Sequence, residues 1–163
     1  MSKITPFLWF DDQAEQAMDF YISVFPKSRI LDVARHGESS PGPAGSVMLI
    51  RFELDGNEFL ALNGGPEHYV FDESISFVID CATQDEVDRY WEALTDGGGE
   101  IACGWLKDRF GLRWQVVPSE LPTLLGDPDP QRAQRAMQAM LTMRKLDIAA
   151  IKQAADGVAR RSG

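Results

Sequence analysis

The sequence has little cysteine and no long apolar run. Its 163 residues include only two cysteines, Cys81 and Cys103, so we expect no disulfide framework, and such sparse usage fits a reducing compartment. No apolar stretch approaches the roughly 18 residues of a membrane span, and the first residues do not have the basic and apolar regions of a secretion signal. These absences predict a cytoplasmic protein with no membrane partner.

Basic residues are also scarce relative to acidic ones. The 16 Lys and Arg residues against 25 Asp and Glu residues give a net charge of −9. A field of this sign repels phosphate backbones, so we expect no nucleic-acid partner. With 44% hydrophobic and 25% charged residues, residues 1–163 are predicted to form a single globular domain that folds without disulfides.

The first part of the chain predicts one strand, one helix and three further strands. Residues 4–10 are strand-like, and a helix capped by Asp11 or Asp12 follows and ends at Pro26. Residues 29–35, 47–54 and 58–63 are the next strands, and Asp55-Gly56-Asn57 is a strong signal for a hairpin turn between the last two. Residues 37–45, rich in Gly, Ser and Pro, are predicted to form a mobile loop.

The same order of elements then starts again. Residues 74–80 are strand-like, Thr83 caps a helix that residues 97–99 stop, and residues 100–106 and 112–118 are further strands. A shift of about 69 positions aligns Asp11 with Asp80 and Tyr21 with Tyr90, which indicates an internal duplication. We predict an α+β fold of paired βαβββ modules, residues 1–65 and 74–118. The apolar stripe on each helix is explained by core packing, and two such sheets can curve to leave a cleft, the natural pocket.

A C-terminal helical extension, residues 130–157, follows a Pro-rich irregular segment, residues 118–129. Apolar residues at helical spacing predict a first helix, and Asp147 is expected to cap a second that closes at Gly157. Met137, Met140 and Met143 are flexible apolar side chains that fill irregular interfaces. The extension is therefore expected to pack on the body of the protein or on a second subunit.

Several segments together resemble a known family. They are residues 6–10 (PFLWF), 63–66 (NGGP), 76–77 (SF), 103–118 (CGWLKDRFGLRWQVVP), 139–141 (AML) and 145–149 (KLDIA). In these segments the chain resembles PhnB-type, 3-demethylubiquinone-9 3-methyltransferase-like proteins of the vicinal oxygen chelate (glyoxalase/bleomycin resistance/dihydroxybiphenyl dioxygenase) superfamily. The resemblance implies paired βαβββ modules and a homodimer.

The resemblance also implies where a metal site would lie. In metal-using relatives, four side chains from the first and last strands of the modules, mostly His and Glu, hold a divalent ion that polarises substrate oxygens. The corresponding positions here are Thr5 (or Phe7 or Trp9), Asn63 (or Ala61), Ser74 and Gln115. Neutral oxygens and amides are poor ligands for zinc or nickel, and calcium requires several carboxylates. We therefore interpret these positions as degenerate and expect no metal and no other cofactor.

Two classes of function remain. The first is a metal-free protein that binds a small organic molecule, in a sequestering or resistance role, in an aromatic-lined cleft. The predicted ligand-binding residues are Trp9, Asn63, Phe77, Cys103, Trp105, Trp114 and Gln115. The second is an enzyme, either a metal-dependent lyase, oxygenase or transferase of the superfamily or a methyltransferase. A methyltransferase on a doubly wound sheet needs a Gly-rich loop after the first strand, which this sequence does not have.

Other reactive side chains have structural and functional interpretations. His36 and His68 are each either a surface residue or a general acid or base. Cys103 is either buried and inert or a thiol activated by Lys107 and Arg109, which are near in sequence. Asp108 and Arg109 are expected to form an ion pair that fixes the turn before the last strand, where Gly111 permits a backbone bend.

Overall fold

The computed structural model describes residues 3–157, which form eight strands and five helices. The first module contains β1 (Phe7–Phe10), α1 (Ala14–Val24), β2 (Arg29–Arg35), β3 (Val47–Leu54) and β4 (Asn57–Asn63). The second contains β5 (Ser76–Cys81), α2 (Gln84–Thr95), β6 (Gly99–Glu100), β7 (Trp105–Lys107) and β8 (Arg113–Pro118). The extension contains α3 (Leu121–Leu125), α4 (Pro130–Leu141) and α5 (Ile148–Ala155). Two compact units divide between Tyr69 and Val70.

The two modules have the same topology. One sheet has the strand order β1-β4-β3-β2 and the other β5-β8-β7-β6. In each, the first strand lies parallel to the last strand of its module, while the remaining neighbours are antiparallel. The predicted α+β fold of repeated βαβββ modules is therefore confirmed.

The core of the first unit lies between α1 and one face of its sheet. The helix packs on β3 and β4 and buries Ala14, Ala17, Met18 and Tyr21. Complete burial of large side chains such as Met18 and Tyr21 stabilises this packing by about 1.5–3 kcal/mol each. The helical stripe seen in the sequence is thus core, as predicted.

The hairpin between β3 and β4 forms where the sequence predicts it. Asp55 and Gly56 have φ angles of 45° and 83°, and Leu54 lies opposite Asn57. Two consecutive residues with positive φ match the right-handed twist of the strands, which is why Asp-Gly is favoured there.

The predicted cap of α1 is wrong. The N-cap residue is Gln13, whose side chain makes no capping bond, and neither Asp11 nor Asp12 takes that role. Instead, the Ala14 amide donates to Oδ1 of Asn63 over 2.8 Å. A residue distant in sequence satisfies the helix terminus because parallel pairing places Asn63 opposite Phe10.

Two other parts of the chain have a different secondary structure from the one predicted. The single strand predicted over residues 100–106 is split into β6 and β7, because Cys103 and Gly104 adopt φ angles of 55° and 85° and form a turn. The segment predicted to be irregular, residues 118–129, contains the short helix α3, with Pro122 in its first turn. The predicted caps Thr83 and Asp147 are confirmed by their bonds to the Glu86 and Ala150 amides.

The extension packs on the second module of its own chain. A small core of its own contains Leu121, Ala136, Leu146, Ile151 and Ala155. The backbone amides of Cys103 and Gly104 donate to Met143 O and Arg144 O over 2.9 and 2.8 Å. The extension therefore packs on the body, one of the two alternatives that the sequence left open.

Gln84 on α2 joins the extension to the second module. Its Nε2 donates to Leu146 O over 2.9 Å, and its Oε1 accepts from the Ile148 amide over 3.0 Å. One turn further along, Lys145 Nζ lies 2.9 Å from Asp88 Oδ1. Hydrogen bonds from Lys145 and Gln84 lower the pKa of Asp88. Gln84 and Asp88 of α2 thus hold residues 145–148 against the second module.

None of the helices in residues 3–157 combines the length and the apolar character needed to cross a membrane.

Candidate functional site

The first sheet presents an apolar surface on the side opposite α1, here called the first open face. Leu8 and Phe10 are buried towards the helix, and side chains alternate along a strand. Phe7 and Trp9 therefore point the other way, together with Leu60 and Leu62, which lie opposite them on β4. Phe7 is 52% exposed, and the other three are half-buried. The β1 side of this surface therefore offers apolar contact, whereas Arg51, Glu53 and Glu58 lie on the same face further along β3 and β4.

Trp9, on the first open face, is held by a hydrogen bond and a ring contact. Its Nε1 donates to Gly65 O over 3.2 Å, and its ring meets Tyr69 edge-on at 5.2 Å between centroids. A Cβ at Gly64 would lie 2.2 Å from the Trp9 ring, so only glycine allows this approach. The ring of Trp9, which was predicted to bind ligand, is thus held in one orientation.

Asn63, predicted as a ligand-binding and former metal position, is held by backbone groups. Its Oδ1 caps α1, as described above, and its Nδ2 donates to Val47 O over 3.1 Å. Ala61, the alternative position, is fully buried on the face towards α1. Thr5 precedes β1 and is half-buried. The Asn63 side chain is therefore bonded to the backbone of α1 and β3, Ala61 faces the core, and Thr5 lies before the first strand.

The second open face, opposite α2, carries polar groups as well as apolar ones. Gln115 lies opposite Val78 on one side and Trp105 on the other, so the three share this face. Nε2 of Gln115 donates to Ser76 Oγ over 2.9 Å. Val78 is 60% exposed, and Trp105 is half-buried. The structure thus brings the predicted Trp105 and Gln115 together.

Ser74 lies before β5, not beside Gln115. Its amide and hydroxyl both donate to Oδ1 of Asp72, and these bonds lower the pKa of that carboxyl group. The residue that contacts Gln115 is Ser76. The shift that aligns Asp11 with Asp80 also aligns Phe7 with Ser76, so the sequence contained the signal for this position.

Phe77 and Trp114 lie on the opposite face of the second sheet, towards α2. Their ring centroids are 5.5 Å apart, and Trp114 is only 4% exposed. Its Nε1 donates to Asp108 Oδ2 over 2.8 Å. The structure therefore places Trp114 in the core with the half-buried Phe77 beside it, on the face opposite Trp105 and Gln115.

Asp108, which the sequence predicted to fix the turn before the last strand, is a buried carboxylate. It is 1% exposed, and Oδ1 accepts from the Phe110 and Leu112 amides over 2.8 and 3.0 Å. Arg109, expected to pair with Asp108, forms an ion pair with Asp96 Oδ2 at 3.1 Å. Gly111 has a φ of 94°, as the predicted bend requires.

The cysteines and histidines are spread over the described residues. Cys103 is half-buried at the turn before β7, and Cys81 is buried; burial raises the pKa of the Cys81 thiol to about 12. His36 follows β2 and is half-buried, and His68 is exposed after β4. Within residues 3–157, no group of three or more His, Cys, Asp or Glu side chains is placed to hold a metal ion.

Comparison with known proteins gives a consistent result. A model of the 3-demethylubiquinone-9 3-methyltransferase family matches residues 2–117, more than two thirds of the chain. A PhnB protein from Bacillus cereus is 33% identical and has a TM-score of 0.67, with 72% of this chain and 99% of that chain covered. No curated protein gave a significant match.

More distant structures share the fold. Protein PA1353 from Pseudomonas aeruginosa is 23% identical, with a TM-score of 0.60 over 72% of this chain and 98% of that chain. The fosfomycin resistance protein FosX from Listeria monocytogenes, in complex with Mn(II) and sulfate, is 16% identical, with a TM-score of 0.50 over 71% and 91%. The family match and the identity to the PhnB protein show that the chain belongs to the PhnB-like 3-demethylubiquinone-9 3-methyltransferase family.

Proposed function

We propose that the chain binds a small organic molecule through the first open face and needs no metal ion to do so. The observation that carries the proposal is which side chains occupy equivalent positions in the two modules. In the first module Trp9 on β1 pairs with Leu62 on β4, and in the second Val78 on β5 pairs with Gln115 on β8. The positions that correspond to Ser76 and Gln115 are therefore Phe7 and Leu62.

These residues suit an apolar or aromatic ligand. A hydrocarbon side chain cannot coordinate an ion, and Ser and Gln are weak neutral ligands compared with the His and Glu of metal-using relatives. Binding sites for small molecules are mostly apolar, with a few placed polar groups. On the first open face, Trp9, Leu60 and Leu62 supply the apolar contact.

The enzymatic alternatives fit these residues less well. The Mn(II) bound by FosX would need His or carboxylate ligands, and Phe7, Leu62, Ser76 and Gln115 supply none. Methyl transfer on a doubly wound sheet would need a glycine-rich turn after the first strand, where the cofactor approaches the backbone. The segment between β1 and α1, residues 11–13, contains no glycine.

Titration with 2-naphthol, a planar aromatic probe, tests the proposal. We expect quenching of tryptophan fluorescence with a Kd in the micromolar range. Gly64→Ala should weaken binding about tenfold, because the new Cβ displaces the Trp9 ring by steric overlap. Gly99→Ala is the matched control, since a Cβ there meets nothing within 4 Å and should leave the Kd unchanged. Equal affinity in both variants would contradict the role of Trp9.

The same protein is then titrated calorimetrically with Mn(II) and with S-adenosylmethionine. The proposal expects neither to bind at one equivalent with a submicromolar Kd. Tight stoichiometric binding of Mn(II) would replace it by metal-assisted catalysis, and tight binding of S-adenosylmethionine would replace it by methyl transfer.

The proposal also includes a cytoplasmic homodimer. Edge strands with exposed apolar side chains favour pairing with another chain, and β1 and β2 are the edges of the first sheet. Phe7 on β1 and Ile30 and Val33 on β2 are 52%, 43% and 36% exposed.

Light scattering at micromolar concentration should give a mass near twice the chain's 18.2 kDa. Val33→Lys should shift the protein towards monomer, because a charge on the edge strand opposes pairing. Ser39→Lys, which adds the same charge in an exposed loop, should not. A monomeric parent protein would remove the dimer from the proposal.

A further inference from the structure

Arg51 brings a positive charge to the first open face, beside its apolar side chains. It lies on β3 between Ile50 and Phe52, which are buried towards α1, so its own side chain points to the open side. Arg51 pairs with Leu60 on β4, and Leu60 pairs with Phe7 on β1. Neighbouring strands lie about 4.8 Å apart, so the backbones of Phe7 and Arg51 are about 10 Å apart in one row across the sheet.

The guanidinium group of Arg51 differs from those of the other half-buried arginines in residues 3–157. Arg113, Arg132 and Arg135 each donate at least two hydrogen bonds to carboxylate or backbone oxygens. Arg51 donates none to the part of the chain that the structure describes, and its contact there is an ion pair with Glu58, with Nη1 and Oε1 3.8 Å apart. A charge-assisted hydrogen bond measures about 2.8 Å. The donors of Arg51 are therefore available to a ligand.

The nearby Glu58 carboxylate does not prevent Arg51 from binding a second one. A guanidinium group is a planar fork of five N–H donors, which can serve two carboxylates at once. Arg132 does so in this chain, with Asp127 Oδ2 and Asp156 Oδ1 at 3.0 and 2.6 Å. The Arg51 side chain is 39% exposed, so a ligand can reach it from solvent.

The other charges on this face restrict the ligand to a single negative charge. Asp32 lies opposite Arg51 on β2. Glu53 lies two residues further along β3 and forms an ion pair with Arg29 at 3.6 Å. A dianion such as a phosphate monoester would be repelled by these carboxylates, whereas a monoanionic carboxylate matches the one fork with unused donors.

We propose that the first open face binds a small aromatic carboxylate, whose ring contacts Trp9, Leu60 and Leu62 and whose carboxylate group is held by Arg51. This inference rests on the proposed function, because the apolar part of the ligand occupies the same residues. It adds the charge of the ligand and its direction across the sheet, with the carboxylate towards β3.

Calorimetric titration at low ionic strength with 2-naphthoate and 2-naphthamide, which share one shape and differ in charge, tests the inference. Naphthoate should bind about fivefold more tightly than naphthamide. Arg51→Met keeps an apolar stem and should remove this preference by weakening naphthoate alone. Unchanged binding of naphthamide then shows that the variant is folded.

Arg29→Met is the matched control. It removes an equal charge from the edge strand of the same sheet, where the Arg29 side chain is 70% exposed. The preference for naphthoate should change by less than about twofold. Equal Kd values for the two probes in the parent protein, a preference that survives Arg51→Met, or equal losses in the two variants would each overturn the inference.

Gly64→Ala separates this inference from the proposed function. Displacement of the Trp9 ring should weaken both probes about tenfold and leave the ratio of their Kd values unchanged, whereas Arg51→Met should change the ratio. If neither probe nor 2-naphthol binds, the proposed function and this inference both fail. If naphthamide and 2-naphthol bind but naphthoate binds no more tightly, this inference alone fails.

Discussion

Replacement of Asp108 by alanine should lower the free energy of unfolding by about 3–5 kcal/mol, one of the largest effects of any single substitution in this chain. The reason is the number of donors that depend on one buried carboxylate. The Phe110 and Leu112 amides and Trp114 Nε1 all donate to it. Alanine would remove this acceptor from all three groups, and two of the three lost bonds, to the Leu112 amide and Trp114 Nε1, are buried. Urea unfolding followed by circular dichroism measures the loss.

Two further variants make this prediction specific. Asp108→Asn keeps one acceptor oxygen but turns an amino group towards a donor, so about half of the loss is expected. Asp80→Ala removes an exposed carboxylate from β5 and should change stability by less than about 0.5 kcal/mol. A loss at Asp108 no larger than at Asp80 would mean that the carboxylate does not organise the turn before β8.

Much of the fold could be predicted because its signals are local. The alternation in β3, the helical stripe of α1 and the Asp55-Gly56 turn each depend on residues a few positions apart, and the repeated order of elements then defines the modules. The split between β6 and β7 was missed because it depends on the positive φ of Cys103, and a non-glycine residue gives no warning of that conformation.

The candidate site was harder to predict because strand register decides it. Asn63 caps α1 only because β4 runs beside β1, and Ser76 rather than Ser74 contacts Gln115 because of the pairing of β5 with β8. The sequence alone could have shown that Trp114 and Gln115 do not share a site. They are neighbours in a strand, so their side chains must point to opposite faces. Alternation alone therefore assigns Trp114 to the core once Gln115 is assigned to the open face.

Gly104→Ala should destabilise the protein by about 2–4 kcal/mol and loosen the C-terminal extension. Gly104 has a φ of 85°, where an L-residue is strained. A Cβ there would also lie 2.9 Å from Val116 O and 3.0 Å from Leu146 Cδ1. Because the Cys103 and Gly104 amides donate to Met143 O and Arg144 O, a shift of this turn should weaken the attachment of residues 143–144 to the second module.

Gly45→Ala separates the two contributions to this loss. Gly45 has nearly the same φ, 84°, but a Cβ there meets nothing within 4 Å. Its substitution should therefore cost only the backbone strain of about 1–2 kcal/mol. The excess loss at Gly104 measures the contact with Val116 and Leu146, and hydrogen exchange at the Gly104 amide should rise with it. Equal losses for the two variants would indicate that backbone strain alone is responsible and that the extension does not depend on close approach at this glycine.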